Sequence, residues 1–280
     1  MAPDMDKRIL GASALALALL GGASAYAQKG GAPAAAAMKL DTKELGAAIS
    51  GNEPAKIADG LDRTRVAGKD GGGKALVPVI VSRIQRGLPK ELLKKALDTL
   101  GDLEDPAAAE IAEQYLSHRE ADVRVAAVNC LGGVKGPIAI RALRAALGDL
   151  DARVHALAAT HLGTLKAPEA IPDLVVALDK GVNEAASSIG MLCDAKSCDV
   201  LLERLATKPF DVMSSGIQQV MARAAVGDDV KKKFVAAVQK LQTRKARDFL
   251  QELRTAWPKG GSKAVETALD EAIKSLEGAK

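Results

Sequence analysis

Apolar positions recur along this chain at helical spacing, and from residue 90 onward whole phrases of them recur. Val123-Arg-Val-Ala-Ala-Val-Asn-Cys-Leu-Gly132 aligns without a gap on Val154-His-Ala-Leu-Ala-Ala-Thr-His-Leu-Gly163, an offset of 31 residues. Leu100-Gly101 stands one offset earlier, and Ile189-Gly190 follows 27 residues later. A second phrase repeats behind the first: Pro106, Pro137 and Pro168 are 31 apart, as are Leu116, Leu147 and Leu178. A fixed period of this length marks one supersecondary unit stacked on copies of itself.

Each copy predicts two helices. First helices over 90–100, 122–131 and 152–162 run into Leu-Gly, and Gly101, Gly132 and Gly163 are expected to end them as left-handed caps. The prolines then suit the first turn of a second helix, where a missing N–H costs nothing. On those second helices Ile140, Leu143 and Leu147 match Ile171, Leu174 and Leu178 at i, i+3 and i+7, one buried stripe per helix. Short connections make each pair antiparallel. The copy at 182–205 lacks the proline and is four residues shorter. Beyond it, 212–226 pairs with a helix striped by Val230, Phe234, Val238 and Leu241. A last pair is marked by Phe249, Leu253 and Trp257 and by Val265, Leu269 and Leu276. Upstream, 41–49 reads as a helix capped by Asp41 or Thr42, 66–74 as a glycine-rich loop, and 75–86 as a resumed helical stripe.

The expected fold is therefore all-α: an α-solenoid of about six or seven antiparallel helix pairs. It is regular over 90–205, with an irregular N-terminal cap at 40–89 and C-terminal helix pairs at 206–280. Composition agrees, since 48% of residues are apolar but only 2% aromatic. Such a core is built from Ala, Leu, Val and Ile, which let helices approach to about 8–10 Å.

Residues Asp151 to Leu178 resemble the short HEAT repeat, the variant also found in phycobilisome bilin lyases. The resemblance is strong over 90–205 and weaker over 40–89 and 206–280. It implies a right-handed stack and, because HEAT-like proteins generally act as scaffolds or adaptors, a non-enzymatic role. The expected partner is another protein or peptide, held by a monomer on a concave face lined by the second helices. The alternative that the resemblance implies is a lyase-type enzyme or accessory subunit acting on a chromophore-bearing protein. No residues here match a catalytic motif for it, and no cofactor is expected.

Residues 1–27 read as a signal peptide: Lys7-Arg8, an apolar run over 9–20, and Ala25-Tyr26-Ala27 as a cleavage site before Gln28. The apolar run is shorter than the ~20 residues of a comfortable membrane span. Residues 28–39 form a Gly/Ala/Pro-rich tether. The expected location is the periplasm or exterior of a bacterial cell.

Candidate chemistry is sparse. Formal net charge is +4, too mild to imply a nucleic-acid partner. Between 230 and 259, nine basic residues stand against Asp248 and Glu252. Lys240, Arg244, Arg247 and Arg254 are expected to share a face suited to an anionic partner or the cell envelope, the alternative being a solvated helix face. No aromatic residues are interleaved for base stacking. Cys193 and Cys198 frame a short turn that a disulfide closes in an oxidising compartment, worth ~2 kcal/mol, the alternative being free thiols. Cys130 reads as a core residue. Gly68-Lys-Asp-Gly-Gly-Gly73-Lys74 has the spacing of a phosphate loop, but Ala75 replaces the magnesium-binding hydroxyl and no strand precedes it, so a flexible loop is expected. His118, His155 and His161 lack the i, i+4 spacing of a zinc pair, and no metal is expected.

Overall fold

A computed structural model describes residues 40–278. The expected signal peptide, its cleavage point at Ala27 and Gln28, and the tether lie outside the described residues. Within them there are fifteen α-helices and no strand. The helix α1 (Thr42–Ser50) precedes seven pairs: α2 (Pro54–Ala67) with α3 (Val77–Gln85), α4 (Lys90–Asp102) with α5 (Ala109–Gln114), and α6 (Ala121–Gly133) with α7 (Pro137–Ala146). The stack continues through α8 (Ala152–Thr164) with α9 (Ile171–Asp179), and α10 (Glu184–Leu192) with α11 (Asp199–Arg204). It ends with α12 (Phe210–Ala222) and α13 (Asp228–Gln239), then α14 (Arg244–Thr255) and α15 (Lys263–Ser275). This is the α-solenoid that the period predicts.

The helix starts follow local chemistry. Asp41 caps α1 by accepting the amides of Lys43 and Glu44, at 3.0 and 2.9 Å. Pro106, Pro137 and Pro168 each open a second helix, with a 3₁₀ turn at Pro106 and Pro168 and directly as α-helix at Pro137. One helix is missing from the sequence expectation. Pro54 opens α2, whose buried Ile57, Leu61 and Thr64 make it the first member of the row that α4, α6 and α8 continue. The glycine-rich loop behind it is a fitted corner. Gly73 is buried, and a Cβ there would fall 2.6 Å from Leu103 Cδ2, while Lys69 reaches Glu104 at 2.8 Å.

The repeating glycines are not left-handed caps. Gly101, Gly132 and Gly163 lie inside α4, α6 and α8. The left-handed residues that follow α4 and α8 are Glu104 (φ 50°) and Lys166 (φ 55°). The glycines are instead where one first helix touches the next. A Cβ on Gly101 would fall 2.9 Å from Cys130 Cα, and one on Gly133 would strike the Gly101 carbonyl. On Gly132 it would enter the His161 ring, and on Gly163 it would fall 2.8 Å from Ser188 Oγ. Gly190 meets Gly216 in the same way. Gly101, Gly132 and Gly163 are thus holes filled from the following copy, at Cys130, His161 and Ser188, whereas Gly133 is met by Gly101 of the preceding copy.

Ion pairs join neighbouring helices in both rows, and between first helices Lys95 reaches Asp62 and Arg153 reaches Asp122. Arg141 of α7 holds Glu113 of α5, Arg144 holds Asp173 of α9, and Arg204 of α11 holds Asp179 bidentately at 2.9 and 2.8 Å. Such half-exposed pairs contribute ~0–1 kcal/mol each, so they fix register more than stability. After residue 205 the core thickens. Phe210 and Phe249 meet edge to face at 5.5 Å, joining α12 to α14, and Phe234 is fully buried.

Gly46 and Gly101 are both helical, so propensity alone favours alanine at either by up to ~1 kcal/mol. A Cβ at Gly46 meets only Leu76 and Val79 side chains, at 3.6 and 3.9 Å. Gly46→Ala is expected to raise the thermal midpoint. Gly101→Ala is expected to lower it by the equivalent of ~1–3 kcal/mol of overpacking. Equal effects of the two, read by circular dichroism melts, would remove close helix packing as the role of Gly101.

Candidate functional site

Beside the glycine contacts the first-helix row is open. A cleft of about 350 Å³ opens there, lined by Arg65 of α2, Asp98, Gly101 and Asp102 of α4, Asn129, Gly132 and Gly133 of α6, and His161 of α8. Four successive helices contribute to it near their C-terminal ends, where aligned peptide dipoles leave partial negative charge. Arg65, the only cation among the described residues that line it, is ion-paired to Asp102. Asp98 is half-buried one turn earlier and takes no hydrogen bond or ion pair among the described residues. Burial pushes its carboxyl above the ordinary range, Arg65 opposes the shift, and Asp102 adds to it. His161 lays its ring over Gly132 and sets Nε2 3.2 Å from Asn129 Oδ1. Burial lowers its basicity, which favours the neutral imidazole.

From the cleft the row runs on over Thr160, Thr164, Ser187, Gln218 and Gln219, polar side chains without charge that are exposed or half-buried.

The residues singled out in the sequence lie elsewhere, apart from His161. Cys193 and Cys198 are buried and joined by an S–S bond of 2.05 Å that closes the corner between α10 and α11. Arg223 donates to the Cys193 and Gly190 carbonyls beside it, at 2.6 and 3.1 Å. Cys130 is fully buried, and desolvation pushes its thiol up to about 12, so it is inert as a nucleophile. His118 Nδ1 accepts the Glu120 amide at 3.1 Å, and His155 Nδ1 lies 3.0 Å from the Asp149 carbonyl.

The basic stretch is largely neutralised within the fold. Lys240 caps α13, whereas Arg244, Arg247 and Arg254 belong to α14, so the four do not share one helix. Arg244 and Arg247 flank Asp248, Arg254 spans Glu266 and Asp270 at 2.7 Å each, and Lys245 reaches Asp211 at 2.7 Å. Lys231 is buried with its ammonium 5.4 Å from the Trp257 ring centre. Among the described residues no group of three or more His, Cys, Asp or Glu is placed to hold a metal ion, and no helix is long and apolar enough to cross a membrane.

The model of HEAT repeats matches residues 77–157 and 140–222, more than half of the chain. The chain belongs to the HEAT-repeat family. Among solved structures it is similar to the complex of CpcE and CpcF of phycocyanin lyase from Nostoc sp. PCC7120, at 18% identity over 89% of this chain and 100% of that one, with a TM-score of 0.46. It is also similar to human deoxyhypusine hydroxylase, at 14% identity, 85% and 96% coverage and a TM-score of 0.38. A designed armadillo repeat protein matches at 14% identity, 84% and 100% coverage and a TM-score of 0.42. No curated protein matches the sequence.

Because the raised carboxyl of Asp98 binds its proton more tightly in the folded chain than in the unfolded one, its contribution is fully present at acid pH. It is lost as pH rises from the ordinary carboxylate value through the folded one. Asp98→Asn is therefore expected to stabilise the protein at pH 7 and to lose that advantage by about pH 3, a convergence that chemical denaturation at the two pH values reads directly.

Proposed function

We propose that this HEAT-repeat protein is an exported scaffold that receives another polypeptide along its first-helix row. The HEAT-repeat fold supports a protein-interaction role, because stacking produces an extended surface whose shape, rather than a reacting group, is preorganised. The character of that surface supports the scaffold reading. A stack bends toward the side on which its members lie closest. On that argument the inner face belongs to the first helices, which touch through their glycines, and not to the second helices that the sequence suggests.

The single observation that carries the reading is the uncharged stripe from Asn129 through Thr160, Thr164 and Ser187 to Gln218 and Gln219. It lies in a chain of which 26% is charged and whose helices, in both rows, are elsewhere joined by ion pairs. Hydroxyl and amide groups in a row can satisfy the alternating donors and acceptors of an extended backbone. Export is supported by the sequence of residues 1–27 and is consistent with a buried Cys193–Cys198 bond, since such bonds persist outside reducing compartments.

Photo-crosslinking in the native host tests the surface. A benzophenone side chain placed at Thr164 or Ser187 is expected to capture a discrete partner, whereas one at Val176 on α9 is expected to give none. Adducts from Val176 alone would reject the first-helix row. Export is tested on the recovered protein by intact mass, which is expected to show a chain beginning at Gln28, with Cys193 and Cys198 oxidised and one alkylatable thiol after denaturation. A retained leader with three thiols would reject it.

A further inference from the structure

We infer that the cleft between α4 and α6 is a socket for one arginine side chain of the polypeptide held on the first-helix row. The inference rests on that row being the receiving surface, and it names the residue type that fixes the polypeptide's position along it. Charge argues first. Asp98 and Asp102 bring two carboxylates to the cleft, and Arg65 is committed to Asp102. The lining therefore carries one negative charge in excess, at the negative ends of helix dipoles, although Arg65 and Lys94 both act on Asp98 from nearby. The neutral imidazole of His161 does not compensate it. A single incoming cation balances the net charge of the lining, which disfavours an anion.

Geometry then selects the cation. The acceptors sit on neighbouring helices rather than at one point: the Asp98 carboxylate on α4, and on α6 Asn129 Oδ1, which keeps a lone pair beyond the one facing His161 Nε2. A guanidinium presents five donors in a planar fork and is weakly hydrated, so it bridges spread acceptors that a compact ammonium meets one at a time. Gly101, Gly132 and Gly133 line the cleft without side chains of their own to project into it. A volume of about 350 Å³ admits the side chain with ordered water around it. The adjoining stripe at Thr160, Thr164 and Ser187 gives the flanking residues of an extended chain their hydrogen-bond partners.

The test uses the purified protein labelled with ¹⁵N and a capped Gly/Ser dodecapeptide carrying one central arginine. The expected result is saturable movement of the Gly101, Gly132 and Gly133 amide signals. Replacing the arginine by neutral citrulline is expected to weaken binding at least about tenfold, as is Asp98→Asn, whose fold is checked by its circular dichroism spectrum. Two further probes decide the source: N-acetylarginine amide and spermidine are each expected to bind at least about tenfold more weakly than the peptide. Equal binding of the citrulline peptide, or of Asp98→Asn, overturns the arginine socket while leaving the receiving row intact. Equal binding of either small cation overturns the polypeptide source. No saturable shift up to about 10 mM arginine peptide overturns the inference altogether. Crosslinks from Thr164 report on the row independently of any cation, so failure of the socket and failure of the scaffold are distinguishable.

Discussion

The structure depends on backbone meeting backbone where consecutive first helices cross. At Gly101 against Cys130, Gly133 against Gly101, and Gly190 against Gly216, no side chain separates the two helices. That contact sets the spacing of the repeats, and it dictates much else. Residues that fill the glycine holes must be small or flat, as Cys130, Ser188 and His161 are. The core beneath must be aliphatic, because rings would force the rows apart. The second helices carry long charged side chains that reach across to their neighbours. Among the described residues the buried rings, Phe234 and Phe249, come after residue 205, where Phe249 meets Phe210 and helps join α12 to α14.

Much of this was legible in the sequence, and the parts that were not share a cause. The period announces stacked helix pairs because each copy cannot bury its stripe alone. The prolines mark the second helices correctly because a missing N–H has one comfortable place in a helix. The glycines mislead. Leu-Gly before a short connection reads as a cap whether the glycine is left-handed or merely thin, and the distinction lies in the residue 29 positions on, at Cys130 or His161. A small or flat residue in the same place of each copy is the signal for packing. The helix α2 escapes notice because its exposed face is rich in charge and its buried face is only Ile57, Leu61 and Thr64.

Long-range pairing explains the other differences. Counting charge in a window finds nine basic residues between 230 and 259. It does not find that Lys245 turns back to Asp211 or that Arg254 turns forward to Asp270. The cleft was hidden for the opposite reason. Asp98, Asn129 and Thr160 occupy one position of the repeat, and periodicity draws attention to what such positions share. Function here uses what they do not share. The cleft lies beside the glycine contacts, so the packing of the row and the carboxylate of Asp98 come together at one place.

Sealing Cys130 under the backbone of α4 also governs how the sulfurs sort themselves. Three thiols allow three crosslinks, and only one joins residues that meet in the finished fold. Cys193 and Cys198 are just as buried, but they stand five positions apart at one corner while Cys130 lies in α6 under α4, so the fold itself leaves theirs as the one bond its sulfurs make.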